Sequence, residues 1–136
     1  MATLKEILSE DHFASRAGVE ILEIRDGYAK ARMLVTEYHL NAGGVCQGGA
    51  LFTLADLAFA AVANGKKQLT LSLSATITFL RPVRKGYVYA EAVEVFGHAR
   101  VPFIEVRMVD ESGELVAVFT SSGYRKQETF EIDGLS

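Results

Sequence analysis

Between Ala50 and Ala63 the chain reads Ala-Leu-Phe-Thr-Leu-Ala-Asp-Leu-Ala-Phe-Ala-Ala-Val-Ala, with Asp56 as its single charge. Alanine and leucine favour a helix here, and Asn64-Gly65 supplies a stop. The apolar side chains do not fall on one stripe but surround the helix. A helix that is apolar nearly all round is buried on nearly all sides. The rest of the chain must therefore wrap it.

The flanking sequence is suited to wrapping. Leu4, Ile7, Leu8 and Phe13 give residues 4–14 the spacing of a short amphipathic helix. Val19 to Ile24 and Tyr28 to Val35 read as strands joined by the hairpin turn Asp26-Gly27. Glu37 to Gly49 is rich in turn residues. After the helix, Leu71, Leu73, Ala75, Ile77 and Phe79 alternate with Thr70, Ser72, Ser74, Thr76 and Thr78, a long strand with a greasy face and a hydroxyl face. Arg81-Pro82 ends it. Tyr87 to Phe96, Val101 to Val109 and Glu114 to Tyr124 read as further strands, the last two joined through Asp110-Glu111-Ser112-Gly113. The predicted architecture is α+β: one long central helix wrapped by a curved antiparallel sheet of about five or six strands. A chain of 136 residues suits one domain over its whole length.

The composition excludes several function classes. A net charge of −3 argues against nucleic acid as the main partner. The single cysteine, Cys46, forms no intrachain disulfide, and a reducing cytoplasm is the simplest setting. Residues 1–14 lack the basic start and apolar run of a signal peptide. Thr53 and Asp56 interrupt the longest apolar stretch, which falls short of a membrane span, so no membrane partner is expected. His12, His39 and His98 show no metal-ligand spacing, and Cys46 has no histidine near it in sequence.

Asp56 needs a reason to stand in such a helix. Burying an unpaired carboxylate costs several kcal/mol, so the group is paired, protonated, or faces a cavity where it works. Gly48-Gly49 stands at the helix start, where bare backbone N–H groups can hold a developing negative oxygen. A carboxylate and an anion-binding helix start are two parts of a hydrolytic site.

Asn41, Gln47-Gly48-Gly49, Leu54-Ala55-Asp56 and Leu80-Arg81-Pro82 together resemble the hotdog-fold acyl-CoA thioesterases of the phenylacetic-acid-degradation type. That family carries an Asn, then His-Gly-Gly, a helix with Leu-Ala-Asp, and a strand ending in Leu-Arg-Pro. The resemblance spans roughly residues 12 to 125, with one departure: Gln47 stands in place of the histidine. Glutamine donates a hydrogen bond but does not titrate near neutral pH.

The resemblance implies hydrolysis of an aromatic or medium-chain acyl-CoA, with no cofactor and no metal. Asp56 would be general base or nucleophile. The Gly48 N–H, with or without that of Gly49, would polarise the thioester carbonyl. Asn41 and Gln47 would help hold the carbonyl or the water, and Ser74 would contact Asp56 or the water. Arg81, Arg84 and Lys85, with Arg100, Arg125 and Lys126, are the candidates for coenzyme A phosphates, although a solvated face is the default for such charges.

Helix geometry adds a constraint. Gly48 and Asp56 are eight residues apart, about 12 Å along one helix, too far for one thioester carbon to reach both. The site is therefore expected to combine Gly48 of one subunit with Asp56 of another across a two-fold axis. The resemblance likewise implies a homodimer and a dimer of dimers. A non-catalytic acyl-CoA binding module on the same fold is the alternative, kept open by Gln47.

Overall fold

A computed structural model describes residues 1–136. Two short helices open the chain, α1 (Leu4–Leu8) and α2 (His12–Arg16), where the sequence pattern predicts one. Asp11 makes the break: its side chain caps the second helix by accepting the Ala14 N–H at 2.9 Å. Strands β1 (Val19–Arg25) and β2 (Tyr28–Val35) form the expected hairpin. Helix α3 (Gly48–Ala63) is followed by β3 (Gln68–Phe79), β4 (Gly86–Phe96), β5 (Phe103–Val109) and β6 (Leu115–Thr129). β6 runs five residues beyond the predicted Tyr124.

The six strands form one antiparallel sheet in the order β1-β2-β4-β5-β6-β3. The central helix separates β2 from β3 in sequence, and β3 crosses to the far edge. Small residues decide how closely helix and sheet approach. Ala29, Ala31, Ala90, Ala92 and Ala117 are fully buried on the inner face of the sheet, opposite Ala55, Ala58, Ala61 and Ala63 of α3. Larger side chains, among them Met33, Ile104, Met108 and Phe119, fill the spaces between. This core continues without a break from Leu4 to Ile132.

One expectation needs correction. The long strand does not keep one greasy face. A bulge between Ser72 and Ser74 shifts its register against β6 and exchanges its faces. Before the bulge, Thr70 is buried and the Ser72 hydroxyl meets the buried Ser121 hydroxyl at 3.0 Å. After it, Ala75 and Ile77 turn to the core instead. Leu71 and Leu73 are left on the outer face, 53% and 62% exposed.

The sheet wraps most of the helix but not all of it. Gly49, Phe52, Thr53, Asp56 and Ala60 form an uncovered stripe at helical spacing. Gly48–Lys66 does have the length and composition to cross a membrane. Most of its surroundings are nonetheless the sheet of its own chain.

The far end of α3 is held by polar groups. The Asn64 side chain donates to the Ala60 carbonyl at 2.9 Å and accepts from the Thr70 N–H at 2.9 Å. Lys67, with φ of 65°, takes the left-handed position that the sequence suggested for Gly65. Arg125 is buried, donates to the Ala63 and His98 carbonyls, and faces Glu94 at 3.8 Å. Replacing Arg125 by Met leaves Glu94 buried and unpaired, and a loss of roughly 3–5 kcal/mol is expected in urea unfolding. The double variant Glu94→Leu/Arg125→Met is expected to recover much of it.

Candidate functional site

The N-terminus of α3 is built from unsatisfied backbone groups. Gln47 is the N-cap in extended conformation, and its carbonyl accepts from the N–H groups of Ala50 and Leu51. Its own N–H donates to the His39 carbonyl at 2.7 Å. The Gly48 and Gly49 N–H groups find no acceptor in the chain. They lie at the positive end of a sixteen-residue helix, the arrangement that receives an oxyanion.

Both glycines lie under side chains. A Cβ on Gly48 would stand 2.8 Å from the Phe79 ring, and one on Gly49 would stand 2.7 Å from the Gln47 side-chain oxygen. Gln47 thus folds over the second glycine, while Phe79 covers the first.

Two grooves meet at this helix start. One, of about 400 Å³, is lined by Asn41, Gly48, Leu51, Phe79, Leu80 and Arg81. It brings Asn41 and the Leu80-Arg81-Pro82 segment to the glycine turn, as the motif spacing suggests. Asn41 also shapes its own loop: its side-chain oxygen accepts from the Gly43 and Val45 N–H groups. That leaves the amide donor free. The other groove, of about 320 Å³, is lined by Phe13, Tyr38, Gln47, Gly49, Ala50 and Thr53. Phe13, which the sequence pattern places on the apolar face of the N-terminal helix, is an exposed aromatic wall instead, and so is Tyr38, which the pattern does not single out.

Asp56 lies on the uncovered stripe, one turn past Thr53, and lines neither groove. The residue is exposed in the single chain. Even so, its packed surroundings strip enough water from the carboxyl to raise it above its ordinary value, and the negative charge of Asp11 adds to the effect. No ion pair opposes this. Within one chain, then, Gly48 and Asp56 stay apart on the same continuous helix.

The remaining candidates sort by geometry. Ser74 pairs with Ser122 on the outer face, away from α3, so the chain does not bring it to Asp56. The bulge that exchanges the faces of β3 is the reason. Arg81 is exposed at the groove and pairs with Glu114 at 3.3 Å. Arg84 and Lys85 are exposed and form no ion pair. Arg125 is withdrawn from the ligand candidates, because it is buried in the core with Glu94.

Burial pushes the Cys46 thiol up to about 11, so it stays protonated and unreactive. His39 is buried and structural. Its Nδ1 accepts from the Thr36 N–H at 3.0 Å, which places the ring proton on Nε2 for the Ala17 carbonyl.

Known proteins carry the same arrangement of helix and sheet. The sequence pattern described as the thioesterase superfamily matches residues 43–117, more than half of the chain. The acyl-coenzyme A thioesterase PaaI of Escherichia coli is 31% identical over 116 residues, covering 85% of this chain and 83% of that protein. The structure of the E. coli PaaI protein from the phenylacetic acid degradation operon superimposes with a TM-score of 0.87, covering 93% of this chain and 92% of that one, at 29% identity. A variant of the phenylacetic acid degradation protein PaaI from Thermus thermophilus is 35% identical, with a TM-score of 0.81, covering 85% of this chain and all of that one. Fold and sequence agree: the chain belongs to the thioesterase superfamily as a PaaI-like hotdog thioesterase, an enzyme that hydrolyses thioesters.

Proposed function

We propose that the substrate is an acyl-CoA with an aromatic or medium-length acyl group, hydrolysed at sites shared between two copies of the chain. The observation that carries this reading is the division of α3. Unsatisfied glycine amides lie at one end, and a carboxyl raised above its ordinary range lies about 12 Å along an uncovered stripe. Two such helices, antiparallel across a two-fold axis, bring Gly48 of one protomer level with Asp56 of its partner.

Asp56 then takes a proton from a water molecule as the water oxygen attacks the thioester carbon. The carbonyl electrons move to the oxygen, which the Gly48 and Gly49 N–H groups stabilise. As the tetrahedral intermediate collapses, the carbon–sulfur bond breaks and the thiolate leaves with the proton held by Asp56. A raised carboxyl suits this base role, since a more basic carboxylate takes the proton of the attacking water more readily. Asn41 orients the carbonyl or water from the adjacent groove, and Gln47 supplies an amide beside Gly49 without titrating. Arg81 lines the same groove, and Arg84 and Lys85 follow it, exposed, in the connection between β3 and β4; together they offer charge to the phosphates of coenzyme A. The lone free cysteine, with no disulfide in the chain, supports a reducing cytoplasmic setting.

The edge strand supports the dimer. β3 presents a twelve-residue unpaired edge bearing exposed Leu71, Leu73 and Phe79, a surface that pairs readily with another strand. The outer face supports a second contact. Near β1 and β2 it carries satisfied charges and aromatics, such as Arg32 over the Tyr87 ring at 4.4 Å. Toward β3 it turns apolar: Val93, Val95, Phe96, Phe103 and Tyr124 are exposed and continue into Leu71 and Leu73. A dimer of dimers would cover this patch.

Two experiments test the reading. Asp56→Asn is expected to lower kcat on a panel of aryl and alkyl acyl-CoAs by roughly a hundredfold to ten-thousandfold. The wild-type kcat/KM is expected to fall as the pH drops through a value above the usual carboxylate range, because the base must be ionised. Hydrolysis undiminished in the variant would remove Asp56 from the mechanism, and label from ¹⁸O-water entering Asp56 in a single turnover would make it the nucleophile.

In the second, Asp56→Asn and Gly48→Val chains, each inactive alone, are unfolded, mixed and refolded together. Half the dimers are then mixed with one intact site of two, so roughly a quarter of wild-type activity is expected. No recovery, with both variants folded and dimeric, would place each site within one chain.

A further inference from the structure

The N-terminal helices contribute a group to the site that motif spacing does not include. Asp11 is fixed at the N-cap of α2 by the hydrogen bond from the Ala14 N–H at 2.9 Å. It lines a cavity of about 280 Å³ together with Leu57, the residue that follows Asp56. Phe13, two residues on, lines the other groove with Thr53, three residues before Asp56. α2 therefore lies across the turn of α3 that holds Asp56.

We propose that Asp11 is a positioning residue for thioester hydrolysis, whose fixed negative charge beside Asp56 strengthens that carboxylate as the base that deprotonates the attacking water. The proposal rests on Asp56 being the base.

The surroundings leave Asp11 as the charge that acts on it. Lys5 of α1 and Glu20 of β1 line the same cavity, but Lys5 is directed to the Leu22 carbonyl at 3.5 Å and Glu20 is paired with Arg32 at 3.2 Å. Glu6 of α1 is held by Thr3, and Glu10, His12 and Arg16 are exposed, without an ion pair to Asp56. Asp56 is the sole charged residue of α3, and the sheet residues packed beneath its middle turns are alanines, valines, methionines, isoleucine and phenylalanine. The Asp56 carboxyl is raised by burial and next by Asp11, in keeping with this placement. A like charge disfavours the ionised form of its neighbour, so that neighbour holds a captured proton more tightly. Asp11 is itself exposed, and the cap matters because it fixes where its charge stands, whereas an uncapped carboxylate would swing away into water.

Neutral capping residues separate the charge from the cap. Asn and Ser serve as N-caps nearly as well as Asp, so Asp11→Asn and Asp11→Ser are expected to keep α2 and the melting temperature close to wild type. Two measurements are made on each: the titration of the Asp56 carboxyl carbon by ¹³C NMR in the free protein, assigned with Asp56→Asn, and the pH profile of kcat/KM.

In both variants the Asp56 titration and the acid limb of the profile are expected to move together to lower pH. A purely structural role for Asp11 would move neither. If either the titration or the limb stays in place in both folded variants, the proposal is overturned. Failure of the base assignment itself is read separately, as hydrolysis that survives Asp56→Asn.

Discussion

The close approach of α3 to the sheet is the constraint on which the rest of the molecule depends. Alanines on both surfaces let the helix lie deep in the curve of the strands, and every larger residue in the core fills space left by that approach. Close packing of this kind tolerates little change in volume, so the helix has one position and its N-terminus one exit. The glycine turn, the loop from Asn41 to Cys46 and the end of β3 all meet at that exit. Phe79, the last residue of β3, lies against Gly48 for this reason.

The helix also carries polarity to where chemistry is needed. Its far end is satisfied by Asn64 and Arg125, while its near end keeps two amides without protein acceptors. Satisfying one terminus and leaving the other open costs some stability and creates an anion site. Asp56 follows the same logic on the side of the helix. Its stripe is the one face the sheet does not reach, so its carboxyl is partly dehydrated by its own chain and meets no ion-pair partner there. A carboxylate left in this state is the kind of group that the proposed base role needs.

Much of this was legible in sequence. The hairpin over β1 and β2, the extent of α3 and the antiparallel α+β architecture follow from turn residues and apolar periodicity, and the glycine pair does stand at the open start of α3. Three features were not legible, each for a physical reason. The exchange of faces in β3 depends on a one-residue bulge, which periodicity counts as unbroken alternation, and it takes Ser74 away from the helix. Arg125 reads as one more surface base, because burial of a charge depends on a partner thirty-one residues earlier in the chain. Asp11 reads as part of an amphipathic helix, whereas its capping geometry breaks that helix in two.

The sequence by itself determined the fold class and the family, since these depend on local pattern and residue chemistry. It also determined that Gly48 and Asp56 are too far apart to serve one carbonyl, because the rise of a helix is fixed. Only the tertiary structure decided which side of α3 remains uncovered, which hydroxyls of β3 face the core, and which charged residues the fold consumes. Those outcomes depend on strand order and register, and these are set by contacts between residues distant in the chain.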